Sequence, residues 1–145
     1  MITVPTSPTF MPEKAIQAVL AARLKTVRKA LGLSQVAVGL RMGLPDETSS
    51  ARVNRWEKAV HPTSLESAEQ LAEALGVPLP FLVCRDEKLA EIIMGYALLP
   101  KARQDEILSQ VQRSLGAEQA EVVKERLGKT TPKAKRTKDP GEGRL

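Results

Sequence analysis

The chain has 145 residues, with 22 Lys and Arg against 17 Asp and Glu, one His and one Cys. That length suits one small domain with an appendage. Hydrophobic residues make up 42% and aromatic residues only 3%, so the core must be built from Leu, Val, Ile and Ala, which favour packed helices over a β-sandwich. One cysteine excludes an internal disulfide, and one histidine leaves no metal set to assemble, so neither metal nor cofactor is expected.

Residues 1–11 are Thr- and Pro-rich without periodicity and are expected to form a flexible arm. Pro12 suits the first turn of a helix whose stripe is Ile16, Leu20, Leu24, Val27 and Leu31, and Gly32 stops it. Ser34 caps a short second helix, Gln35 to Met42, closed by Gly43. After a turn from Gly43 to Thr48, Thr48 or Ser49 is expected to cap a third helix running to about Lys58. Val53 and Trp56 share one face of it, and Ser50, Arg52, Asn54 and Arg55 lie mostly elsewhere. Thr63 and Glu66 suit a capping box for a fourth helix lined by Leu65, Ala68, Leu71, Ala72 and Leu75 and ended by Gly76. A fifth helical turn carries Leu79, Phe81 and Leu82, and Cys84 reads as a small buried hydrophobe.

Beyond residue 85 three further helices are expected. Asp86 caps the first, with Leu89, Ile92, Ile93 and Tyr96 on one face. Pro100 starts the second, with Ile107, Leu108, Val111 and Leu115. The third runs from Ala117 to Leu127. Such stripes must pack on something. Residues 129–145, rich in Lys, Thr, Pro and Gly, are expected to be a disordered basic tail. The net charge of +5 divides into +3 over residues 1–85, −2 over 86–128 and +4 over 129–145, which points to an anionic partner for the front and the tail. No secretory leader pattern and no run near the roughly 18 apolar residues of a spanning helix is present, so a cytoplasmic protein, with no membrane partner, is expected.

Short helices, a glycine at the turn and a third helix with a polar, basic outer face suit a helix-turn-helix. A helix fits the major groove, where exposed side chains reach base edges, while the preceding helix lies on the backbone. The order Arg28-Lys29-Ala30-Leu31-Gly32-Leu33-Ser34-Gln35, Gly43, Arg55-Trp56-Glu57, Pro62 and Leu71-Ala72-Glu73-Ala74-Leu75-Gly76-Val77 resembles the Cro and lambda-repressor type, the XRE-like family, over about residues 20–84. The resemblance implies that Gln35 contacts the DNA backbone and that Ser50, Ala51 and Arg55 read bases. It also implies a buried ion pair between Arg28 and Glu57. The full set expected to contact DNA is Gln35, Ser49, Ser50, Ala51, Arg52, Asn54, Arg55 and Lys58, with His61 near the phosphates.

Three departures stand out. The turn at 43–48 is about four residues longer than usual, Ala59 stands where a glycine is common, and Pro62 follows Glu57 by one residue fewer than is common. Catalytic motifs are missing: there is no G-x-S-x-G, and Gly128-Lys129-Thr130 lacks both the first glycine and the preceding strand of a phosphate loop. The reading is therefore an all-α protein and not an enzyme. It has a five-helix lambda-repressor-like DNA-binding domain at 12–85, a helical appendage for dimerisation or partner binding at 86–128, and disordered ends. Its expected function is that of a dimeric repressor of operator DNA, nucleoid-associated when bound. The nearer alternative is an antitoxin or controller whose appendage grips a protein partner; the more distant one is a helical adaptor without DNA binding.

Overall fold

The computed structural model describes residues 13–130. They form eight helices and no strand: α1 (Glu13–Ala30), α2 (Gln35–Arg41), α3 (Asp46–Glu57), α4 (Leu65–Leu75), α5 (Leu79–Val83), α6 (Glu87–Leu98), α7 (Lys101–Ser114) and α8 (Ala117–Thr130). The expected arm at 1–11 and the tail beyond residue 130 lie outside the described residues, while residues 129 and 130, expected in the tail, continue α8.

The helix ends follow from local chemistry. Gly32 takes a φ of +67° after α1, which only glycine adopts without cost. Ser34 caps α2 by accepting the Ala37 N–H at 3.0 Å. Two caps differ from expectation. Helix α3 starts at Asp46, three to four residues earlier than a cap at Thr48 or Ser49 would give. Pro45 is the cause. It takes the N-cap position, where its carbonyl accepts the Thr48 and Ser49 N–H groups at 3.2 and 3.0 Å, and its restriction of Leu44 keeps the helix from starting earlier still. Asp46 and Glu47 then sit at the positive end of the helix. The apparent long turn is thus an added first turn of α3. At α4 the cap is Ser64, which accepts the Ser67 N–H at 3.1 Å, not Thr63 with Glu66; the Thr63 N–H is taken by Gln17 Oε1 at 2.9 Å.

The residues divide into two compact units between Pro100 and Lys101. The first encloses a core of Leu20, Leu24, Val38, Val53, Trp56, Ala68, Leu71, Leu75 and Leu82. The outer members of two expected stripes, Ile16, Leu31 and Leu65, are exposed. Cys84 is half-buried, its thiol donating to the Asp86 carbonyl at 3.4 Å. Helix α6 packs on α5, buries Ala90 and leaves Leu89, Ile92 and Tyr96 exposed. In the second unit α7 and α8 are joined through Leu115 and Gly116, and α7 buries no residue.

Candidate nucleic-acid interface

Helices α2 and α3 meet at very short range. A Cβ on Gly39 would lie 2.4 Å from the Ser49 Cβ and 2.8 Å from its Cα, so only glycine allows the approach. Ser49 is 0% exposed, and its hydroxyl donates to the Pro45 carbonyl at 2.8 Å. This corrects the expectation that Ser49 faces DNA: the earlier start of α3 turns it inward against α2. Gly39 was not singled out from the sequence, although a glycine between Val38 and Leu40 in a helical pattern signals a close approach.

The base of α3 is tied by a polar cluster. The Arg28 guanidinium from α1 grips both carboxylate oxygens of Glu57, with Nη2 3.2 Å from Oε2, and its Nη1 donates to the Leu33 carbonyl at 3.0 Å. The two side chains are 12% and 4% exposed. Gln35 joins the cluster: its Nε2 donates to Glu57 Oε2 at 2.9 Å and reaches Asn54 Oδ1 at 3.4 Å, while its Oε1 accepts from Ser50 Oγ at 3.3 Å. Burial alone would push the Glu57 carboxyl up. The hydrogen bonds from Arg28 and Gln35, with the charges of Arg28 and Lys25, outweigh it and hold the group below its ordinary value.

The helix-turn-helix family profile matches residues 24–82. The solved structure titled "Crystal structure of transcriptional regulator BswR" is 34% identical, with a TM-score of 0.60; the match covers 68% of this chain and 97% of that one. The chain belongs to the XRE-type helix-turn-helix family of DNA-binding transcriptional regulators. No curated protein matches it.

Within this helix-turn-helix, α3 presents Ala51, Arg52 and Arg55 to solvent and its C-cap Lys58 is exposed after them, with Ser50 and Asn54 half-buried beside them. The Arg52 guanidinium lies over the Trp56 ring at 5.6 Å, which fixes a cation at the helix surface. Trp56 itself is buried. Arg52, Arg55 and Trp56 form one wall of a polar recess, and His61, Pro62, Ser64 and Ser67 form the other. Gln35 is half-buried at the start of α2, its amide engaged by Glu57 and Ser50. Ala59 adopts a φ of +51°, the left-handed conformation that a glycine would take without strain. Among the described residues no His, Cys, Asp or Glu group could hold a metal, and no helix is long and apolar enough to cross a membrane.

Proposed function

We propose that this regulator binds operator DNA as a homodimer and represses transcription by occluding a promoter. The observation that carries the DNA-facing part is the outer face of α3, where Ala51, Arg52 and Arg55 are exposed on a helix whose inner face is locked by Ser49, Val53 and Trp56. A rigid helix with short and cationic side chains outward suits major-groove readout. Arg55 and Ala51 read base edges, with Ser50 and Asn54 at the margin. Arg52 and Lys58 neutralise phosphates, and the recess at His61 and Ser64 offers them hydrogen-bond donors. Gln35 orients Ser50 and Asn54 and meets the backbone at the start of α2.

Dimerisation is supported by the apolar residues beyond the DNA-binding helices. Leu89 and Ile92 on α6, and Leu108 and Val111 on α7, are half-exposed or more. Two copies joined through residues 86–128 would present two α3 helices to a two-fold operator and double the contact area. Genomic fragments retained by the purified chain would supply the operator. A reporter behind that operator should then fall in activity when the chain is expressed; a rise would identify an activator. The same apolar residues favour a second reading, the antitoxin or controller class, in which they hold a different protein. Light scattering on the chain alone separates the two: a dimer supports the first, and a monomer supports the second.

A further inference from the structure

A cavity of about 440 Å³ lies between α1 and the α5–α6 junction, away from the α3 face. Ala18, Val19 and Ala22 of α1 and the ring of Phe81 give it apolar walls; Arg23, Arg85 and Glu87 supply its charge. The two arginines differ. Arg23 is committed: its Nε and Nη2 donate to the Cys84 carbonyl at 3.0 and 2.6 Å, its guanidinium carbon lies over the Phe81 ring at 5.0 Å, and Nη2 reaches Glu87 at 3.4 Å. Among the described residues Arg85 Nε and Nη2 are buried and have no hydrogen-bond partner. Buried donors are almost always paired, so two on one side chain call for an acceptor.

We propose that this cavity binds a small monocarboxylate with a compact apolar body, held by Arg85. The two unpartnered nitrogens form one edge of the guanidinium, and that N–H fork matches the two oxygens of a carboxylate. Both are closed to water in this arrangement, so carboxylate binding requires the guanidinium to turn toward the cavity. The apolar walls take the body of the ligand, which inorganic phosphate lacks. The Glu87 carboxylate at the rim disfavours a dianion. The size falls in the range of roughly 300–1,000 Å³ typical of small-molecule sites. Nothing in this inference depends on the DNA reading.

The test is calorimetry and thermal melting of the full chain with phenylacetate, isovalerate, the neutral isostere phenylacetamide, and inorganic phosphate. At least one carboxylate should bind saturably with a Kd of about 1 mM or tighter and raise Tm, whereas the amide and phosphate should not. Arg85→Gln should weaken carboxylate binding about tenfold or more. Ala22→Leu, which fills the cavity and leaves Arg85 in place, should also abolish it and keeps the test valid if Arg85→Gln fails to fold. The proposal falls if neither carboxylate binds, if the amide or phosphate binds as well as the acids, or if a folded variant binds like the wild type.

Discussion

At the scale of single residues, Glu57 carries several interactions at once. Its carboxylate is almost wholly buried and is met by Arg28 and Gln35. Glu57→Ala strands a buried guanidinium and should cost about 3–5 kcal/mol in urea unfolding, whereas the exposed Glu69→Ala should stay within about 0.5 kcal/mol. Because the folded carboxyl titrates lower than the unfolded one, this stabilisation is complete above the unfolded value. It is lost as pH falls through the lowered native value. Wild type should therefore lose stability more steeply than Glu57→Gln below about pH 4. Ala59 is the converse case, a residue in a conformation it resists. Ala59→Gly should raise stability by about 1 kcal/mol, read as a higher urea midpoint with an unchanged slope.

At the scale of elements, the helix-turn-helix depends on how closely α2 and α3 approach. Gly39→Ala drives a methyl into Ser49 backbone and side chain, and should cost about 1–3 kcal/mol and weaken DNA binding by displacing α3. The helices themselves were legible because their signals are local. Ser34 before Gln35, Gly32 and Gly76 after apolar stripes, and Asp86 before Leu89 each act within four residues. The start of α3 was not legible in the same way. Thr48 and Ser49 are good capping residues, but Pro45 takes the capping position and its carbonyl accepts their N–H groups. Nor was the inward turn of Ser49, which depends on having glycine opposite it. The Arg28–Glu57 contact came from the family resemblance, since no local pattern links residues 29 apart. The part played by Gln35 in that cluster emerged only once three helices had been brought together.

At the scale of the whole molecule, the first unit holds the helix-turn-helix and α6, and the second holds α7 and α8. The apolar side chains of α6 and α7 are the proposed dimer contacts. The double substitution Ile92→Asp with Val111→Asp removes two exposed apolar groups and should leave the melt of the first unit intact. It should convert a dimer to a monomer in light scattering and lower operator affinity about tenfold or more. An unchanged mass would move the seam elsewhere. The central claim is that the outer face of α3 reads sequence, and Arg55 tests it most directly. The measurement is the affinity of wild type and Arg55→Ala for a selected genomic site, for its single-base variants and for unrelated DNA at one salt concentration. Arg55→Ala should lose about 1–3 kcal/mol on the selected site, lose discrimination at one base position, and lose less on unrelated DNA. Equal losses on all of these DNAs would contradict base reading by Arg55, reducing it to a phosphate contact.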